Sequence, residues 1–352
     1  MRVRVIVGTE KGAFLCSAGS DRRRWELEGP VFKGWKVTAT DRSPSGRYFM
    51  ATASQVYGVA LHTSSDLHKW RQLEKGPAYP EGGDRKLNQI WTLHCRADRH
   101  YAGVDVAGLF FSDDDGESWH PVTALNDHPS RKGWFPGAGG LCAHAVISSP
   151  KRPKQIWCGM SAVGVWRSDD GGETWQTKNE GIRCLAPDQD FPGIGYCVHG
   201  LVQDPDNPDV LYRQDHTGMF RSRNGGDDWH KIEEGLPSWF GFPIVIDEKS
   251  GTLFSFPMES DEYRLPVEGR CRVYRSRTRG DSWEPTSGGL PDAPYYGSVL
   301  RGAMAVDNLD PVGVYVGSTS GDVFLSSDGG ESWQTLGTRL PRVLSVRAYV
   351  EE

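Results

Sequence analysis

The sequence predicts an all-β chain folded as a seven-bladed β-propeller with four-stranded antiparallel blades. Three observations lead there: a short polar box recurs along the whole chain, its period is near fifty residues, and an alternating apolar run precedes the copies. The box reads "SDDDGESW" from Ser112 to Trp119, "SDDGGETW" from Ser168 to Trp175 and "SRNGGDDW" from Ser222 to Trp229. It returns as "SRTRGDSW" from Ser276 to Trp283 and "SSDGGESW" from Ser326 to Trp333. Two worn copies come first, "SAGSDRRRW" ending at Trp25 and "SSDLHKW" ending at Trp70. The seven tryptophans stand 45, 49, 56, 54, 54 and 50 residues apart.

The elements of a blade follow in order, with strands named A to D from inside to outside. Strand B is a run such as "QIWCGM" or "GVYVGS". A glycine-containing turn leads to strand C, seen as "GLFFS", "GVWRS", "GMFRS", "RVYRS" and "DVFLS". The box is then the C–D turn, and its tryptophan opens strand D. The first residues, "MRVRVIVGTEKGAFLC", alternate like a strand and turn at "GTEKG". The expectation is one domain over residues 1–352. The C-terminal "RVLSVRAYV" and the strands before Trp25 complete one blade and close the ring.

The box invites a reading as a calcium loop or a catalytic acid patch. An EF-hand loop wants oxygen ligands at positions 1, 3, 5 and 12 around a glycine at 6. Placing Gly116 at 6 puts Phe111 at 1 and Val122 at 12, and Gly329 puts Phe324 and Thr335 there. A turn explains the same residues: glycine supplies positive φ, aspartate accepts hydrogen bonds from turn amides, and tryptophan packs between sheets. In these boxes the chain resembles the Asp-box, or bacterial neuraminidase repeat, β-propellers. "WFPGAGG", "FGFPI" and "ESDEYRLP" are similar to stretches of bacterial proteins labelled sialidase-like or glycosyl hydrolase-like. The resemblance implies the propeller; it does not choose among the unrelated activities the repeat supports.

Charged residues make up 24% of the chain and hydrophobic ones 37%, as in a folded soluble domain. A formal charge of −6 gives no reason to expect nucleic acid or an anionic membrane as partner. The opening lacks a signal peptide's apolar core, no membrane-length apolar run occurs, and the seven cysteines are odd in number and scattered. The expected location is cytoplasmic.

Because strands alternate in direction, the C–D boxes share a face with the A–B turns. The B–C turns and D–A connections gather opposite, where the sequence is less uniform. That face carries Asp105, Asp215, Glu259 and Tyr296 as candidate catalytic groups. Trp35, Lys36, Arg85, Trp91, Trp134, Trp239, Arg264 and Arg301 are its candidates for holding a polar small molecule or carbohydrate at the central opening. Glycoside hydrolysis needs two carboxyl groups, or a tyrosine nucleophile as in sialidases. A "YRLP" at 263–266 resembles a sialidase arginine motif, but it stands in the blade-6 insertion rather than ahead of the first box, which argues against sialidase activity.

Two other readings stay open. His94, His144 and His199 fall at matching strand A positions of three consecutive blades, with His216 at a nearby turn and Cys142 and Cys197 two residues before His144 and His199. Histidine and cysteine together suit a divalent metal such as zinc, and hence a metal-dependent enzyme. A non-catalytic scaffold or assembly propeller is the remaining alternative.

Overall fold

The computed structural model describes residues 1–137, 139–186, 191–292 and 294–351. Seven four-stranded antiparallel sheets form the seven blades of a β-propeller. Blade 1 is closed by the two ends of the chain: Val343–Glu351 pairs with Arg2–Thr9, and Gly12–Gly19 and Glu26–Val31 follow. Blade 2 comprises Lys36–Arg42, Tyr48–Ser54, Gly58–Ser64 and Arg71–Gln72; blade 3 comprises Gln89–Cys95, His100–Asp105, Gly108–Ser112 and His120–Pro121. Blade 4 runs from Ala143–Ser149 through Arg152–Met160 and Gly164–Ser168 to Gln176–Thr177. Blade 5 holds Gly200–Gln203, Leu211–Gln214, Met219–Ser222 and His230–Lys231. Blade 6 holds Phe240–Ile246, Leu253–Met258, Val273–Ser276 and Glu284–Thr286; blade 7 holds Met304–Val306, Val314–Gly317, Val323–Ser326 and Gln334–Thr335.

The sequence predicts one domain, and the contacts group the chain into two compact units. The first comprises Met1–Val37, Val202–Arg221 and His230–Glu352; the second comprises Thr38–Leu201 and Ser222–Trp229. Each has its own apolar core, because inner strands such as Tyr48–Ser54 and Leu253–Met258 are buried on both faces. In the first unit Val3, Val5 and Val7 pack with Phe254, Phe256, Tyr315, Phe324 and Val346. In the second, Leu109, Ile156, Cys158, Met160, Trp166 and Trp175 form one cluster, and Phe49, Leu61, Phe110 and Trp119 another. Helix is confined to short turns at Thr123–Asn126, Pro129–Gly133 and Val267–Gly269 among the described residues. Among the described residues no helix is long and apolar enough to cross a membrane.

The boxes are C–D turns closed on themselves. Ser168 Oγ donates to Asp170 Oδ1 at 2.8 Å and accepts the Gly172 amide at 2.8 Å, while Asp170 also accepts from the amide and hydroxyl of Thr174. Ser112, Asp114, Gly116 and Ser118 repeat the pattern, as do Ser326, Asp328, Gly330 and Ser332. Two consecutive residues take left-handed φ in each intact box, such as Gly171 at 83° and Gly172 at 100°. That requirement explains the glycine pairs. The worn box of blade 2 is one residue shorter and makes the turn with Leu67 at φ 65°, whose carbonyl accepts the Trp70 indole N–H at 2.8 Å.

A second glycine signal lies after strand D. The main-chain N–H of a box tryptophan reaches back to the connection following the previous blade: Trp229 to Glu180, Trp283 to Glu234 and Trp333 to Gly288. The next residues, Gly181, Gly235 and Gly289, have φ of 85°, 88° and 93°. A Cβ there would stand 2.4, 2.1 and 2.2 Å from the tryptophan carbonyl oxygens. Only glycine fits, so "EGI", "EGL" and "GGL" are blade-to-blade latches.

Candidate functional site

The boxes carry no acid–base chemistry. The hydroxyl and amide of Thr174, with the Ser168 hydroxyl, hold the Asp170 carboxyl down to about 2. Burial pushes Asp114 upward, but the Ser118 and Ser112 hydrogen bonds outweigh it and bring it to about 2 as well. These carboxylates stay ionised to lock a turn.

The B–C turns and D–A connections differ, and in the second unit they converge on Asp105. Asp105 ends strand B of blade 3 and is half-buried. Burial raises its pKa, while hydrogen bonds from the Asn88 and Trp91 side chains pull the other way. Its backbone bridges to Cys142, and its carbonyl accepts the Asn88 N–H at 2.7 Å. Gly140 lies over this spot with φ 93°; a Cβ on it would sit 3.7 Å from Asp105 Oδ2 and 3.9 Å from Cys142 Sγ. The missing side chain leaves the carboxyl approachable. The half-buried Trp91 meets the His144 ring edge-on, with centroids 6.5 Å apart. A carboxyl raised by burial and two side-chain donors, Asn88 and the Trp91 indole, therefore stand together.

Two predicted binding residues of this unit have other partners. Arg85 donates to the Asn126 carbonyl at 2.9 Å and to Asp127 Oδ1 at 2.7 Å, and lies over the Tyr79 ring. Trp134, expected as an exposed stacking surface, is only 8% exposed. Its indole N–H donates to Ser130 Oγ and its ring packs against Trp166, which corrects that expectation. The helical turn at Pro129–Gly133 draws it inward.

In the first unit the structure gathers the blade-6 insertion, the Asp215–Gly218 turn and the 295–301 segment. The insertion folds on itself through Glu259 N to Leu265 O and Arg264 N to Ser260 O. His216 Nδ1 lies 3.4 Å from Asp261 Oδ2, and its ring meets Phe240 edge-on. Phe240 packs on Phe242, over which both Arg264 and Arg301 lie, at 5.6 and 4.8 Å. Ser298 Oγ donates to the Arg264 carbonyl, which ties the insertion down. Glu259 is exposed, as are Trp239, Tyr263 and Tyr296 at 60, 61 and 64%. Trp35 is half-buried and Lys36 exposed at the start of blade 2.

Asp215 is the main correction among the catalytic candidates. It is 1% exposed, its Oδ1 accepts from the Thr217 amide and hydroxyl and the Gly218 amide, and Arg213 Nε lies 3.1 Å from Oδ2. A carboxylate enclosed this way shapes its own turn. Phe242, the platform under two guanidinium groups, was not singled out in the sequence; an aromatic in "FGFPI" looks like any core residue.

The histidines do not share one role. His94 Nε2 accepts the Ser148 N–H at 3.2 Å and lies 2.9 Å from Ser148 Oγ, so that nitrogen is engaged. His144 belongs to strand A of blade 4. Cys197 and His199 are buried and lie just ahead of strand A of blade 5, rather than within it, and Ser161 Oγ stands 3.6 Å from Cys197 Sγ.

A family profile described as the BNR/Asp-box repeat matches residues 166–177, the box of blade 4. The chain is 23% identical over 307 residues to the xyloglucanase Xgh74A of Acetivibrio thermocellus, an alignment covering 78% of this chain and 34% of that protein. A Paenibacillus xyloglucanase is likewise 23% identical, over 77% of this chain and 27% of its own. The chain thus spans about a third or less of these relatives. Among solved structures, an ancestral GH74 enzyme superposes with a TM-score of 0.55 at 16% identity, over 89% of this chain and 38% of that one. YCF48 from Cyanidioschyzon merolae gives 0.54 at 11%, over 89% and 90%, so the same fold serves proteins of other kinds. The chain is a seven-bladed β-propeller that carries a match to the BNR/Asp-box repeat and is distantly similar to xyloglucanases.

Proposed function

We propose that the protein is a glycosidase-like propeller that binds a carbohydrate and protonates its glycosidic oxygen from Asp105. The observation behind this reading is the state of that carboxyl. Burial shifts it toward the protonated form, and Gly140 leaves it approachable. Leaving-group protonation needs a carboxyl of this kind. The Trp91 indole beside it offers a flat face to a sugar ring, and the similarity to xyloglucanases supports a carbohydrate as ligand. The reaction also needs a second carboxylate or a tyrosine nucleophile. The test is release of reducing ends from xyloglucan oligosaccharides, related β-glucans and aryl β-glycosides. Asp105→Asn should lower kcat by about 10²–10⁴-fold with circular dichroism unchanged, since general acid catalysis contributes that much. An Asp105→Asn protein as active as wild type, or a wild type inert on every glycan, ends this reading.

Buried Cys197 and His199, two residues apart, favour a zinc-binding alternative. Elemental analysis decides it. Stoichiometric zinc lost in His199→Ala or Cys197→Ala supports the metal, and metal-free protein of full stability removes it.

A further inference from the structure

The box-bearing side of blade 2 holds a feature outside the glycosidase reading. An open cavity of about 670 Å³ lies between the A–B turn of blade 2, its worn box and the intact box of blade 3. Arg42, Arg47, Lys69 and Arg71 line it, against one lining carboxylate, Asp115. Glu117 binds Arg47 at 2.7 Å and Arg71 at 2.7 Å from beside it, so four cations face two carboxylates. Two lining side chains hold buried polar atoms with no hydrogen-bond partner among the described residues: Thr63 Oγ1, on a residue only 6% exposed, and Arg42 Nε. Folding leaves a buried hydroxyl unsatisfied only at a cost, and because both side chains line the cavity, a molecule in it, ligand or water, is their remaining source of hydrogen bonds. The serine hydroxyls of residues 45, 64 and 65 complete a polar lining.

The junction chemistry explains the excess of positive charge. At two other blade junctions an arginine in the left-handed box position pairs with an aspartate in the preceding A–B turn: Arg22 with Asp307, and Arg279 with Asp204. Between blades 2 and 3 the signs are exchanged. The box position is Asp115, with φ 53°, and the turn supplies Arg47. The worn box adds Lys69, and Arg71 follows on strand D.

We propose that this cavity binds a small polyhydroxylated ligand carrying a phosphate or sulfate group. Guanidinium forks match such tetrahedral anions, and the volume suits a molecule of one or two sugar rings. The site shares no residue with the Asp105 cluster, so either reading stands or falls without the other. The experiment is calorimetric titration and thermal shift at low ionic strength with inorganic phosphate, inorganic sulfate, glucose 6-phosphate, glucose 6-sulfate and glucose. The ester anions should bind saturably and raise the melting temperature, and glucose should do neither. The phosphate and sulfate arms identify the favoured group. Arg71→Gln, on a half-exposed outer strand, should weaken anion binding at least tenfold. Thr63→Val should weaken it while leaving the ligand-free melting temperature unchanged or higher, because it removes an unsatisfied hydroxyl; a structural hydroxyl would lower it. No saturable binding of any anion, or binding changed less than twofold in both variants, overturns the proposal.

Discussion

The junction between blades 7 and 1 and the junction between blades 2 and 3 each pair a left-handed box residue with an A–B turn residue and end in opposite states. At the first, Arg22 occupies the left-handed position of the worn box and its guanidinium meets Asp307 at 3.0 Å, with the side chains 5% and 0% exposed. Asp307 also accepts from the Leu309 and Gly313 amides and from the Tyr315 hydroxyl at 2.7 Å. Arg279, Asp204 and Tyr212 repeat that arrangement between blades 5 and 6. At the second junction Asp115 and Arg47 are 3.6 Å apart and 39% and 30% exposed, beside an open cavity. Exchanging the two charges places the long cationic chains on the turn, where they reach solvent. The box position then carries a short carboxylate that cannot fill the gap.

The largest effect should come from Asp307→Ala. It strips a buried guanidinium, a buried phenol and two amides of their acceptor together. Breaking a buried pair from one side costs about 3–5 kcal/mol, so urea unfolding should show a loss of that size. A loss under about 1 kcal/mol would mean that water reaches the Arg22 site and that the two junctions are alike. The charge-only change at the open junction, Asp115→Asn, should cost only about 0–1 kcal/mol, because the pair is screened, Arg47 keeps Glu117 and the amide can still pair with His100 Nε2. A cost as large as that of Asp307→Ala would make the cavity rim a folding element rather than a surface.

The fold was legible in the sequence because its evidence is local. Serine, aspartate, glycine and tryptophan within eight residues make a turn whatever surrounds it, and seven such turns at one period define the architecture. The junction pairs were not legible. Arg22 and Asp307 are 285 residues apart, and nothing near "DRRRW" tells a solvated arginine from a buried one. The candidate site was half legible for the same reason. Asp105 could be placed at a B–C turn from strand order alone. That Asp215 is enclosed by Arg213 and its own turn depends on side-chain directions that "RQDHTG" does not fix. The basic cavity was not legible because its lining comes from an A–B turn, a worn repeat and the box of the next blade, which only folding brings together.

The smallest effect separates the boxes from both junctions. Asp114 and Asp170 sit at about 2 when folded, against an ordinary value near 4 in the unfolded chain. A carboxyl depressed on folding stabilises fully above its unfolded pKa and loses that contribution as pH falls through its folded pKa. The boxes should therefore add nothing to pH dependence between pH 5 and 8 and should weaken progressively from about pH 4 to pH 2. Blade 5 already carries the neutral form of the device: Asn224 Oδ1 accepts from Ser222 Oγ at 2.9 Å and from the Asp228 amide at 3.1 Å. Asp170→Asn should reproduce it, shifting the melting temperature at pH 7 by about 1 °C or less. It should also make the decline between pH 4 and pH 2 shallower than in wild type. If the decline steepened instead, the Asp170 carboxylate would be repelled by its acidic neighbours in "SDDGGETW" more than it is held by Thr174, and the box would be a strained turn rather than a satisfied one.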